Sequence, residues 1–203
     1  MFRIVSLIVF VFLAIYTIWF VRNRTAKSWS VKNITSFFEE CKYALTHLKS
    51  LSAVDFSKKL LLPLFWICML LLGLSGFIPS VLFGVPMSGY LIILHVAIAP
   101  VFALIVTVMA VIWPYKYLFE DSELKRRKGK SRYVVLKKML YWLLLGLTIP
   151  VISSILLSMF KYFGTDGQHL LLNIHRYSTL ALVVVSVFYL TSDHLATKRQ
   201  NHK

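Results

Sequence analysis

Five runs of predominantly apolar residues decide what this chain can become, because each is near the roughly 20 residues that a helix needs to cross a bilayer. They cover about 2–21, 60–80, 90–113, 136–160 and 169–191. With 58% hydrophobic residues and a mean hydropathy of +0.73, a soluble domain could not hide so much apolar surface. The expected fold is therefore an all-α integral membrane protein with five transmembrane helices, an N-terminal anchor followed by a four-helix bundle. Arg3 precedes the first run as it would in a signal peptide. That run is long, however, and no small-x-small cleavage site follows it, so an uncleaved anchor is expected.

The net charge of +15 is spread in a way that argues for membrane topology and against nucleic acid. Residues 22–59 hold eight Lys/Arg, residues 115–138 hold nine, including the run at 125–128, and the tail after the fifth span holds three. With five spans these segments share one side, whereas 79–90 has no basic residue and 161–168 has only Lys161. Thus 20 of the 23 basic residues lie together, and the positive-inside rule makes that side cytoplasmic. The N-terminus is then outside and the C-terminus inside. Four segments follow: an anchor at 1–21, a cytoplasmic amphipathic segment at 22–59, the bundle at 60–191 and a basic tail at 192–203. Within the second, "ITSFFEECKYALTHLKSL" has helical apolar spacing and suits a surface helix or a docking face.

Chemistry-bearing residues are few. Cys41 and Cys68 form no CxxC or CxxCH, which excludes a covalent c-type haem of the usual pattern. A repeat is more informative. "LLLGL" occurs at 70–74 and 143–147, "LIILH" at 91–95, and "LLNIH" at 171–175. Gly73 to His95 is 22 residues and Gly146 to His175 is 29, the difference being ascribed to a longer outer loop, "KYFGTDGQH". Two similar hairpins are expected, each returning with a histidine five or six residues into its second helix. At 1.5 Å per residue, both histidines would lie roughly 8–10 Å below the outer boundary.

Ionisable groups in hydrocarbon persist mainly where they pair, ligate or line a path. Two level imidazoles on facing helices suit axial ligation of haem iron, and filling both axial positions favours electron transfer over oxygen chemistry. His95 and His175 are the candidate ligands. Arg176 is the candidate partner for a haem propionate. Gly73, Gly76 and Gly146 would let the macrocycle approach, although small residues serve plain helix packing equally well. The alternatives are a histidine that hydrogen-bonds across helices or relays protons. Zinc is disfavoured, because no third or fourth ligand sits at this depth. His169, at the water boundary, is a substitute ligand. His47, His194 and His202 read as surface residues.

These residues resemble the membrane cytochrome b subunits of formate dehydrogenase and nickel–iron hydrogenase over about 60–191. The first core helix of that family carries "HW" and, about ten residues on, Thr-Gly. Here "FWICMLLLGLSGFI" has Phe65-Trp66 and Ser75-Gly76. The last core helix of the family carries two histidines about fourteen residues apart, and here His175 is followed by Tyr189. The resemblance implies two b haems. Phe65 and Tyr189 replace ligands of the same, cytoplasmic-side haem, while the outer pair, His95 and His175, remains. One haem b near the outer face is therefore expected.

The resemblance implies a subunit that passes electrons between the quinone pool and a periplasmic iron–sulfur or multihaem c-type cytochrome subunit. Its setting would be a bacterial or archaeal cytoplasmic membrane, with lipids as neighbours and a quinone as a candidate second ligand. Catalysis would live partly in other subunits. A haem-free anchor or assembly subunit is the second reading. A small transporter is a third, disfavoured because the spans hold few charges beyond Arg176.

Overall fold

A computed structural model describes residues 1–22, 53–117 and 129–198. Among these the structure is helical, without strands. Helix α1 runs Phe2–Arg22, and α2 runs Ala53–Phe77 and continues as a π-helical turn, Ile78–Phe83. Helix α3 runs Tyr90–Ile112 and is followed by a 3-10 turn, Pro114–Tyr117. Helix α4 is Gly129–Ser158, and α5 is Gly164–Lys198 after a 3-10 turn at Lys161–Phe163. Five stretches are long and apolar enough to cross a membrane: Phe2–Phe20, Leu60–Phe83, Tyr90–Ile112, Val135–Ser158 and Lys161–Ser192. The fold is that of an all-α, multi-pass membrane protein, as the apolar runs require. The amphipathic segment at 34–51 and the basic run at 125–128 lie outside the described residues.

Helices α2 and α4 each begin seven residues before the expected spans, at Ala53 and Gly129, and both ends of α5 differ from expectation. The segment "KYFGTDGQH" is not a longer loop, because α5 already begins at Gly164 and only residues 159–163 connect it to α4. His175 therefore sits eleven positions into its helix and His95 five, so the two are not level when counted from their helix starts. At the other end α5 runs on to Lys198, through most of the expected tail. Hydropathy marks only the part of a helix that suits hydrocarbon, and hydrogen bonding carries the helix past it.

The chain divides into two compact units, Arg3–Ile105 and Val106–Lys203, with the division inside α3. The pattern of burial is the reverse of a soluble protein's. Ile4, Ile8, Phe12, Ile15 and Trp19 are exposed along α1, while Ser6, Ser75, Thr148, Ser154 and Ser186 are buried. Exposing such side chains to water would forfeit about 1.5–3 kcal/mol each, so these apolar surfaces face lipid. Small polar residues then take the helix interfaces, where they let backbones approach.

In the first unit Arg3, at the start of α1, ends α2. Its Nε donates to the Val81 carbonyl at 2.9 Å and its Nη2 to the Leu82 carbonyl at 3.1 Å. These carbonyls belong to the last residues of the π-turn, which the left-handed Gly84 terminates at φ 70°. A cation on the last carbonyls also opposes the helix dipole. One and two turns further along α1, Ser6 is fully buried and Phe10 meets Phe77 edge-on at 5.0 Å. The Ser6 hydroxyl has no hydrogen-bond partner among the described residues, so this position uses smallness rather than polarity.

In the second unit α4 and α5 pack closely along their length. Their buried hydroxyls bond back to their own helices: Thr148 to the Leu145 carbonyl at 2.6 Å, Ser154 to Val151 at 3.0 Å and Ser186 to Leu182 at 2.6 Å. Each proton is thereby satisfied without water.

Two stability predictions follow from α1 and its cap. A Cβ at Gly84 would lie 2.6 Å from Arg3 Nη1, whereas one at Gly89, also at positive φ, meets nothing within 4 Å. Both Gly→Ala changes carry about 1–2 kcal/mol of backbone strain. Only Gly84→Ala also displaces the arginine, so it lowers the thermal midpoint in detergent further than Gly89→Ala. Ser6→Ala removes an unsatisfied buried hydroxyl and raises that midpoint, by about 1 kcal/mol of stability, while Ser6→Leu lowers it.

Candidate functional site

His95 lies on α3, half-buried, against the preceding helix of its hairpin. The Ser75 hydroxyl donates to the Leu72 carbonyl at 3.1 Å and lies 2.9 Å from His95 Nδ1. A hydroxyl has one proton. With it on the Leu72 carbonyl, Ser75 accepts from His95 Nδ1–H and Nε2 is the nitrogen that could take a metal; with it on Nδ1, the ring is the Nε2-protonated tautomer. Gly76 flanks the same ring, where a Cβ would stand 3.5 Å from Cε1 and 3.9 Å from Nδ1. That is ordinary contact distance, so the glycine leaves the imidazole room without being its sole tolerated neighbour.

His175 makes the corresponding bond in the second unit. Its Nδ1 lies 3.0 Å from the Val151 carbonyl on α4. A carbonyl only accepts, so this ring donates from Nδ1. Val151 follows Pro150, which has no N–H to offer the Gly146 carbonyl one turn earlier.

The two hairpins share a register. Ser75 precedes His95 by twenty residues, and Val151 precedes His175 by twenty-four. Each histidine therefore bonds back to the helix before its own turn. The interval from glycine to histidine is seven residues longer in the second hairpin, and the hydrogen bonds divide the excess. Three residues fall before the acceptor and four after it, since Gly73 to Ser75 is two and Gly146 to Val151 is five. Each share is about one helical turn, which keeps the same faces opposed. The repeat is thus carried by helix lengthening.

The other expected site residues are placed as follows. Arg176 is half-buried, one position beyond His175 on α5. Gly73 lies two positions before Ser75, and a Cβ there, as at Gly146, meets nothing within 4 Å. His169 is exposed in the first turns of α5, and His194 falls within the same helix. His47 and His202 lie outside the described residues. Among the described residues no group of three or more His, Cys, Asp or Glu is arranged to hold a metal ion. The second interaction of each histidine was missed by sequence reasoning. Ser75 entered only as half of a Ser-Gly pair and Val151 not at all.

The ends of the hairpins away from their turns are filled by aromatic side chains. In the first unit Phe65 is buried, stacked on Phe102 at 5.4 Å and edge-on to Trp66 at 5.2 Å. In the second, Tyr189 is buried and shares a 2.9 Å hydrogen bond with the Tyr117 hydroxyl. Tyr117 stacks on Tyr141 at 3.9 Å, and Tyr141 donates to the Met109 carbonyl at 3.1 Å. Trp142 Nε1 donates to the Tyr117 carbonyl at 3.1 Å, and Lys137 lies 5.5 Å above the Tyr189 ring. The two positions that depart from the cytochrome b pattern are therefore packing residues in this chain.

Comparison with known protein families, curated proteins and solved structures gives no match. Reading of the site rests on its own geometry. Tyr189→Phe leaves the stacking in place and removes one buried hydrogen bond. It is expected to destabilise the chain by about 1 kcal/mol, read as a lower thermal midpoint, with no effect on any property of the histidine sites.

Proposed function

We propose that this chain is a membrane electron-transfer subunit holding one haem b between His95 and His175. In this reading it resembles the cytochrome b subunits of formate dehydrogenase and nickel–iron hydrogenase and keeps only their outer haem. The observation that carries the reading is the matched use of Nδ1. In each hairpin the imidazole turns Nδ1 to an oxygen across its own turn; donation from Nδ1–H there is the arrangement found where Nε2 is a metal ligand. That bond fixes the ring plane and raises the basicity of the ligating nitrogen.

The haem, when bound, supplies one-electron chemistry at its iron. The chain's residues do the rest. His95 and His175 would be the residues that hold the iron. Arg176 offers a guanidinium to a propionate, which offsets its own burial. Gly76 gives the His95 ring space, and Gly73 and Gly146 leave their helix faces low. Phe65 and the Tyr189 hydroxyl are already engaged, which argues for one haem rather than two.

The basic segments at 22–59 and 115–138 support a topology with the N-terminus outside, in a bacterial or archaeal cytoplasmic membrane. The histidine ends of the hairpins then lie toward the periplasm. This position suits a short electron-tunnelling step to a periplasmic iron–sulfur or multihaem c-type partner, with the quinone pool as the reservoir in the membrane.

A second reading has one observation in its favour. Nδ1 bonds of this kind also satisfy histidines that only pack, as in a haem-free anchor or assembly subunit. Spectra separate the two. The chain purified in mild detergent from a haem-sufficient host is expected to show a sharp reduced α-band and about one non-covalent haem per chain. His95→Ala and His175→Ala should each abolish it. A folded chain without haem, still assembling with its partners, would sink the cytochrome reading, and two haems per chain would overturn the assignment of Phe65 and Tyr189.

A further inference from the structure

We propose that Ser75 is a positioning residue for His95: its hydroxyl selects the Nδ1-protonated tautomer and, once a haem is bound, tunes the haem's reduction potential. The second half of this statement rests on the haem reading above; the first half does not.

Ser75 is buried on α2, so water does not compete for its hydroxyl. The proton goes to the Leu72 carbonyl at 3.1 Å, and Ser75 Oγ, at 2.9 Å, is left to accept from the imidazole. The chain of bonds runs in one direction, from His95 Nδ1–H through Ser75 Oγ–H to the Leu72 carbonyl. Donation to Leu72 polarises the hydroxyl and makes it a better acceptor. A stronger acceptor at Nδ1 pushes electron density onto Nε2, and a more basic axial nitrogen favours ferric over ferrous iron.

The two histidines differ in what evolution can change. His175 donates to a main-chain carbonyl, which no side-chain substitution removes. His95 donates to a side chain, so position 75 is where the acceptor can be strengthened, weakened or deleted. Position 75 is therefore the place where the acceptor itself can be exchanged.

Two measurements on the full chain in detergent test this. In the first, nitrogen NMR of histidine-labelled protein without haem reads the tautomer of His95. The wild type should be Nδ1-protonated, and Ser75→Ala should give a mixture. In the second, redox titration of the haem-loaded chain reads the midpoint potential. Ser75→Ala should keep its α-band and shift to a more positive potential, and Ser75→Thr should restore the wild-type value. Should Ser75→Ala fold poorly, Ser75→Cys, a weaker acceptor of similar size, is expected to shift the same way by less. An unchanged tautomer together with an unchanged potential in the folded Ala or Cys variant would overturn the proposal. Absence of haem from the wild type would overturn the functional reading instead, and the tautomer measurement would still decide the role of Ser75.

Discussion

Inside hydrocarbon there is no water to complete an unfinished hydrogen bond, so polar groups in the spans turn to partners within the protein, the Ser6 hydroxyl being an exception among the described residues. The helices settle most of that demand for the backbone. What remains is the hydroxyls, the histidines and the carbonyls at helix ends and prolines. Buried serines and threonines turn back on the preceding turn of their own helix. Arg3 takes the carbonyls that the π-turn leaves at its end. Each imidazole turns its Nδ1 to an oxygen of the neighbouring helix. The same rule that decides helix formation thus also governs which ring nitrogen faces the protein.

That choice is the link from fold to chemistry. An imidazole whose Nδ1–H is already directed at an oxygen is oriented and electronically biased before any ligand arrives, and so little has to reorganise on binding. Away from the turns, aromatic rings pack on one another. Each hairpin therefore has two chemically distinct ends, a histidine crossing nearer the turn and aromatic packing away from it.

Much of this was legible in the residues. The five spans follow from bilayer thickness, which writes itself into the length of apolar runs, and their limits fall within a few residues of those expected except where α5 begins. Gly164, Asp166, Gly167 and Gln168 are poor hydrocarbon residues, so hydropathy places the start of α5 too late. The π-turn at Ile78–Phe83 left no periodic signature, since one wider turn does not disturb a run that is apolar throughout. The histidines stood out because charge-bearing groups are rare in such runs. Their acceptors did not, because a serine looks like any small interface residue and a carbonyl has no letter.

The Arg3 cap also bears on how the chain is assembled. A ribosome delivers α1 first, and the open carbonyls of Val81 and Leu82 come some eighty residues later. When the second helix enters the membrane, the guanidinium that will close its end is already in place and tethered to the same chain. Synthesis order thus matches hydrogen-bonding order, and the first hairpin need not borrow lipid headgroups while it waits. If α1 were supplied as a separate polypeptide, it would have to find that end by diffusion in the plane of the bilayer, and the advantage of the tether would be lost.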